Sequence, residues 1–173
     1  MRGASREIIM DIHLCVERPA RYIKSLAKAG ANSIIFQFEA MTNLDEALDL
    51  ARAIRANGMA AGISINPSTP IKDIKALLQS NLFDILDILA VEPGFGGQKF
   101  QKSTLSKLEE LNKMAARNAN DGSTISVMID GGMNQDTSKL VRTAGADILV
   151  AGTFLFGHES MSSAKDLLLG ANA

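Results

Sequence analysis

Short apolar runs rich in Ile and Val alternate along the chain with longer stretches in which apolar residues recur at helical spacing. The runs Ile8–Val16, Ser33–Phe38, Ala60–Ile65, Ile85–Val91, Thr124–Ile129 and Asp147–Ala151 predict strands. The stretches Pro19–Ala29, Leu44–Asn57, Pro70–Gln79, Ser103–Asn118, Gln135–Thr143 and Ser162–Leu169 predict helices. Pro19 and Pro70 suit a first helical turn, and Asn43 and Thr69 suit N-caps. Gly30, Gly58 and Gly145 follow helix ends, where a left-handed residue is wanted. Alternation of this kind implies βαβ units and a parallel sheet. Ala29-Gly30-Ala31-Asn32 and Ala144-Gly145-Ala146-Asp147 each lead from a helix into a strand. They fit either any αβ junction or the repeated unit of a barrel.

The faces of the strands say more. In the first, Ile12, Leu14 and Val16 share one face, and Asp11, His13 and Cys15 share the other. In the second, Ile34, Phe36 and Phe38 oppose Ile35, Gln37 and Glu39; in the third, Ile63 and Ile65 oppose Ser64 and Asn66. In the fifth, Val127 and Ile129 oppose Ser126, Met128 and Asp130. Each strand has an apolar face for helices to cover and a second face that turns polar toward its C-terminal end. Barrels and open α/β sheets both bind ligands there. A doubly wound sheet buries both faces of its strands, which then read as near-continuous apolar runs. The polar second face favours the interior of a TIM-type (β/α) barrel.

Composition narrows the class. The 173 residues amount to about one domain, and no Pro/Gly/Ser linker divides them. Hydrophobic residues at 46% and charged residues at 21% are the usual mix of a globular protein. A net charge of -1 argues against nucleic acid or an anionic membrane surface as the main partner. The one cysteine, Cys15, excludes an intrachain disulfide framework and reads as a packing residue in a reducing compartment. No apolar run approaches the ~18 residues of a membrane span, and the start of the chain does not read as a signal peptide.

Three successive strands end in glycine-rich turns: Glu92-Pro93-Gly94-Phe95-Gly96-Gly97-Gln98-Lys99-Phe100, Asp130-Gly131-Gly132-Met133 and Ala151-Gly152-Thr153. Backbone N–H groups approach a phosphate closely where no Cβ intervenes, and the loops after late barrel strands are the usual phosphate site of that fold. The nucleotide patterns G-x-x-x-x-G-K-[ST] and G-x-G-x-x-G are absent, so a small phosphorylated metabolite is the expected ligand. His13 and Asp130 lie on the polar faces of two strands, near the C-terminal ends. A strand histidine alone is more often a core residue, and an aspartate before Gly-Gly is often a turn residue. Beside the phosphate turns they become candidates, His13 as a neutral ligand to a divalent metal and Asp130 as a ligand or general base. Gln37 and Glu39 are further candidates, with structural hydrogen bonding at the mouth as the alternative. Lys99 fits either a phosphate contact or a solvated face, and His158 a surface loop.

The segments Asp11 to Val16, Phe36 to Ala40, Val91 to Phe100, Ile129 to Gly132 and Ala151 to Thr153, in this order and spacing, resemble ribulose-phosphate 3-epimerase. The similarity runs from about Asp11 to Gly157, and the Val91–Phe100 stretch is its most specific part. The resemblance implies a (β/α)₈ barrel, an isomerase of the pentose phosphate pathway that interconverts ribulose 5-phosphate and xylulose 5-phosphate. It also implies a divalent metal, Zn, Fe, Mn or Co. His13 matches a metal-ligand histidine that also faces the substrate, and Asp130 an aspartate that binds metal and serves as one of two acid–base carboxylates. Gly94, Phe95, Gly96, Gly97, Gly131, Gly132, Gly152 and Thr153 match the loops around the phosphate. The implied setting is a cytosolic homo-oligomer, or a plastid protein if a leader precedes this chain.

There are departures from the family pattern. Its first two strands, with an H-x-D-x-M-D-G motif that supplies two metal ligands and the second acid–base aspartate, have no counterpart here. The expectation is therefore one barrel domain over residues 1–173, incomplete at the N-terminus, with about six strands. Gln37 stands where a histidine is usual, Cys15 and Leu89 where methionines are usual, and Ser68 where a glycine is usual. Three readings follow. They are an epimerase lacking its N-terminal units, a non-catalytic relative that binds a sugar phosphate or pairs through its open edges, and an orotidine-phosphate-type enzyme. The last predicts an Asp-x-Lys-x-x-Asp strand that this chain lacks.

Overall fold

The computed structural model describes residues 8–114 and 124–171. Six parallel strands, β1 (Asp11–Leu14), β2 (Ser33–Gln37), β3 (Ala60–Ile65), β4 (Ile85–Leu89), β5 (Ser126–Asp130) and β6 (Ile148–Val150), pair in sequence order. The helices between them are α1 (Ile23–Ala29), α2 (Leu44–Ala56), α3 (Ile71–Leu78), α4 (Ser103–Lys113) and α5 (Gln135–Thr143). After β6 come a single turn, α6 (Thr153–Phe156), and α7 (Met161–Leu169).

The alternation seen along the sequence now has a physical side. Ile34, Phe36, Ile63, Ile65, Leu86, Ile88, Val127 and Ile129 lie on one face of the sheet, between none and 1% exposed. They form one core with the inward stripes of the helices, Ala47, Leu50, Ala51 and Ile54 on α2 and Ile71, Ile74, Leu77 and Leu78 on α3. Each such isoleucine or leucine contributes about 1.5–3 kcal/mol of burial. The other face carries a smaller apolar cluster of Ile35, Ile85 and Met128 with Ile148 against it.

The sheet is strongly curled. Strands stand about 4.8 Å apart, so in a flat sheet β1 and β5 would be about 19 Å apart. Yet His13 Nδ1 on β1 lies 3.8 Å from Asp87 on β4 and 3.9 Å from Asp130 on β5. Only a sheet rolled toward its second face brings these side chains together, which is the wall of a TIM-type barrel. Gly62 assists at the centre of the curl, where an added Cβ would stand 2.7 Å from Ile35 Cγ1.

The structure corrects several boundaries. The first strand shrinks from Ile8–Val16 to Asp11–Leu14, and the fourth stops at Leu89 rather than Val91. Pro19–Tyr22 is a 3₁₀ turn ahead of α1. Asn43 caps α2, its side chain accepting from Glu46 N. Thr69 caps nothing; Pro70 is the N-cap of α3 without a side-chain bond, and Thr69 Oγ1 donates to Glu39. Cys15 is exposed, not packed. The predicted end of the fourth helix, Asn118, lies outside the described residues. Gly30 and Gly145 do take left-handed φ angles of 88° and 99°.

Candidate functional site

The C-terminal ends of β4, β5 and β6 release three loops, of which those after β4 and β5 pack on one another. Ala90 N donates to Asp130 O at 2.7 Å, and Gln101 N to Ala90 O at 2.8 Å, so the loop after β4 is anchored at both ends. Gln98 closes it from within, its Nε2 donating to Glu92 O and Phe95 O at 2.7 and 2.9 Å. Gly132 (φ +66°) is where this loop meets the next: a Cβ there would stand 2.6 Å from Phe100 N. Gly94, Gly96, Gly97 and Gly152 differ, since a Cβ on any of them would meet nothing within 4 Å. Their backbones border open space.

That space is a cleft of about 600 Å³. Its walls are the three glycine turns, from Gly94 to Gly97, at Gly131 and Gly132, and at Gly152 and Thr153, with Phe95 at the rim. Its floor includes His13, Cys15, Leu89 and Asp130. The predicted site residues therefore converge on one cleft. Gln37 and Glu39 do not line it, and neither does Lys99. His158 sits beside the ring of Phe154, centroids 5.4 Å apart.

Gln37 serves from behind. Its amide nitrogen donates to Glu39 Oε2 at 2.7 Å and to Asn66 Oδ1 at 2.8 Å. Both acceptors fix which end of the amide faces them, so Gln37 Oε1 points at His13 Nε2, 3.1 Å away. That oxygen can only accept, so Nε2 carries hydrogen and Nδ1 turns toward the two aspartates. Such an outer partner is what orients a metal-binding imidazole. Glu39 also accepts from Asn66 N at 2.8 Å, so its part is structural hydrogen bonding at the mouth.

One member of the cluster escaped the sequence reading. Asp87 lies in the middle of β4, in register between Ser64 and Met128, and is 1% exposed. Ser64 Oγ donates to its Oδ2 at 2.7 Å, while its Oδ1 is buried with no hydrogen-bond partner. Burial pushes its carboxyl up to about 7, against the opposing pull of Ser64 and His13. Burial by itself would lower His13, but Asp130, Asp87 and Gln37 outweigh it and raise its pKa. The signal was available: Ile85-Leu86-Asp87-Ile88-Leu89 puts an acid inside an apolar strand, on the parity of Leu89, and a buried charge needs a partner.

His13, Asp87 and Asp130 each offer a ligand atom, all within 4.8 Å of one another. Two donors on one ion, each about 2.0–2.2 Å from it, can be no more than about 4.4 Å apart, so the separations of 3.8 and 3.9 Å from His13 fit a shared cation. An imidazole with two carboxylates, one holding an orphaned oxygen, is a donor set that a divalent ion would complete.

A family model described as the ribulose-phosphate 3 epimerase family matches residues 2–156. The ribulose-phosphate 3-epimerase of Bacillus subtilis is 38% identical over 168 residues, which span 95% of this chain and 73% of that protein. That of Mycobacterium bovis is 41% identical, over 93% of this chain and 67% of that protein. The cytoplasmic isoform of rice is 35% identical, over 86% and 61%. Among solved structures, a 3-hexulose-6-phosphate synthase superposes with a TM-score of 0.65 at 18% identity, covering 99% of this chain and 77% of that one. A tryptophan synthase α-subunit from Pyrococcus furiosus gives 0.67 at 14%, covering 98% and 69%. At such identities these two structures speak for the fold alone.

Proposed function

The chain belongs to the ribulose-phosphate 3 epimerase family, and from that premise we propose that it interconverts ribulose 5-phosphate and xylulose 5-phosphate by proton transfer at carbon 3. The observation that carries this reading is the placement of Asp130 and His13 at the floor of a cleft walled by three glycine turns. The turns bind the phosphate through backbone N–H groups. Gly94, Gly96, Gly97 and Gly152 leave the room, and Gly131 and Gly132 let the loops pack. Thr153 adds a hydroxyl at the same wall, and Phe95, 83% exposed at the rim, covers the sugar.

With the phosphate held at one end, the carbon chain lies over Asp130. Its carboxylate takes the proton from carbon 3, giving an enediolate, and return of a proton to the opposite face needs a second acid, the role of the aspartate in the H-x-D-x-M-D-G motif that has no counterpart in these residues. His13 and Asp130 would hold a divalent ion, Zn, Fe, Mn or Co, which when bound would supply Lewis-acid stabilisation of the charge developing on the substrate oxygens, worth several kcal/mol. Gln37 holds the His13 tautomer that this requires.

The relatives named above are called epimerases, and none of them favours a non-catalytic binding protein. No helix among the described residues is long and apolar enough to cross a membrane. A cytosolic setting is supported by the cytoplasmic isoform of rice. The edges of the sheet, β1 and β6, pair with no further strand among the described residues, and such edges favour association into a homo-oligomer.

Asp130→Asn tests the assignment. A coupled assay with ribulose 5-phosphate should show turnover reduced about 10²–10⁴-fold, the usual worth of a general base. Calorimetry should show the sugar phosphate still binding. Unchanged turnover would remove Asp130 from its role.

A further inference from the structure

We propose that Asp87 is a third ligand of the metal site, binding the ion from beneath while Asp130 and His13 bind it from the cleft. The proposal rests on the reading of His13 and Asp130 as metal ligands and adds a residue to it.

Geometry places Asp87 against the ion and away from the sugar. His13 and Asp130 line the cleft and Asp87 does not. Asp87 faces instead a second opening, of about 330 Å³, on the inner face of the sheet, which it shares with His13 and Asp130. Asp130 pairs in register with Leu89 and Asp87 with Met128, so Asp87 sits two residues deeper on the barrel wall. A carboxylate at that depth cannot reach carbon 3 of a sugar held at the mouth, but it does reach the point that His13 Nδ1 faces, 3.8 Å away.

The oxygen of Asp87 that faces His13 Nδ1 at 3.8 Å, Oδ2, accepts from Ser64 and keeps a further lone pair for a cation. The bond from Ser64 fixes the plane of the carboxylate. The other oxygen is buried without a partner, on a residue 1% exposed. A buried acceptor left in this state costs free energy, which a cation bound to the same carboxylate would offset. In the surrounding strand Ile85, Leu86, Ile88 and Leu89 are all buried and apolar, so an apolar residue would pack at position 87 with no such cost. A structural role therefore does not account for the acid.

Ligand and structural roles predict opposite signs. The test is binding of Mn²⁺ and Co²⁺ to the full chain by titration calorimetry, with the visible spectrum of the Co²⁺ form as a second readout. Thermal melting of the metal-free proteins runs beside it. Asp87→Asn keeps the shape and the bond from Ser64. It should weaken both ions about tenfold or more, since even outer-shell changes cost that much, and change the Co²⁺ spectrum. Asp87→Leu combined with Ser64→Ala removes both polar partners at once, a change that is nearly neutral or stabilising where the pair had no other duty. It should bind neither ion tightly and melt no lower than wild type without metal. It also carries the metal arm if Asp87→Asn does not fold. Unchanged ion affinity in Asp87→Asn or in the double variant overturns the proposal, as does a double variant that melts well below wild type. Failure of the underlying reading looks different: His13→Ala and Asp130→Asn would then also leave ion affinity unchanged, or the wild type would bind neither ion.

Discussion

The two faces of the sheet come from one backbone, a residue out of step, and obey opposite rules. On the outer face Phe36, Ile63, Ile88 and Ile129 are fully buried. All are apolar and all pack beneath helices. On the inner face the same strands place Gln37, Ser64, Asp87 and Asp130, of which the first three are buried as well. Burial alone therefore does not distinguish the faces; polarity under burial does. The outer face gains free energy from every position. The inner face holds a carboxylate with an orphaned oxygen and a histidine locked in one tautomer, arrangements that a core optimised for stability would exclude. Stability and chemistry have been separated by the two-residue period of a strand.

That separation can be broken first on the outer side. Phe36, none of it exposed and 6.0 Å from the ring of Phe83, should cost about 3–5 kcal/mol on replacement by alanine. Urea unfolding would measure the loss, while the folded fraction should bind ribulose 5-phosphate with wild-type affinity. A parallel loss of ligand affinity would show that the faces are not independent. At the mouth, Gly132→Ala should act on both properties. The left-handed φ of +66° and a Cβ 2.6 Å from backbone Phe100 N together cost about 2–4 kcal/mol. The loops after β4 and β5 must part to admit the methyl group, so ribulose 5-phosphate should bind more weakly. Intact binding in a destabilised variant would take the second turn out of the phosphate site.

How much of this could be read from the residues alone follows the same division. The third strand was predicted over Ala60–Ile65 and is found there. It has a partner on each side, and its outer residues, Ala61, Ile63 and Ile65, are apolar without a break. The first strand lost residues at both ends because β2 is its single partner among the described residues, and an apolar run continues past the ladder that holds it. That His13 and Asp130 meet at one cleft was legible because each stands on a polar face near a strand's end, with glycine turns nearby and a family resemblance to support them. Asp87 was not, since its significance depends on β1 coming round to face β4, a long-range consequence of curl. Thr69 misled because a capping residue type before Pro70 is a local cue, whereas its hydroxyl is taken by Glu39, thirty positions earlier in the chain. Gln37 was identified as a candidate, but its duty is set by Glu39 and Asn66, whose positions only the fold determines.

A smaller effect sharpens the inner face. Ser64→Ala leaves Asp87 Oδ2 as bare as Oδ1, a buried acceptor unpaired at a cost of about 1–3 kcal/mol. The same change in the Asp87→Leu background should cost markedly less, because no acceptor remains to be orphaned. A double-mutant cycle by urea unfolding reads the difference directly. Equal costs in the two backgrounds would mean that Ser64 is held by packing, and that the inner face is governed by the same rule as the outer.

The smallest effect lies furthest from the site and serves as the control for the others. Asn43 caps α2, accepting from Glu46 N at 2.9 Å, and Glu46 returns the favour by accepting from Thr42 N at 2.7 Å. The Thr42 hydroxyl makes a second bond to the same carboxylate, and these bonds hold Glu46 below the usual carboxylate range. Asn43→Ala removes the bond to Glu46 N and should cost about 0.5–2 kcal/mol. The α2 helix presents Ala47, Leu50, Ala51 and Ile54 to the outer core, with the sheet between it and the inner face. Fraying its first turn should therefore lower the urea midpoint and leave the affinities for Mn²⁺ and ribulose 5-phosphate as they are. If affinity fell with stability even here, ligand binding would be reporting global unfolding. The affinity loss expected at Gly132 could not then be assigned to its place in the barrel.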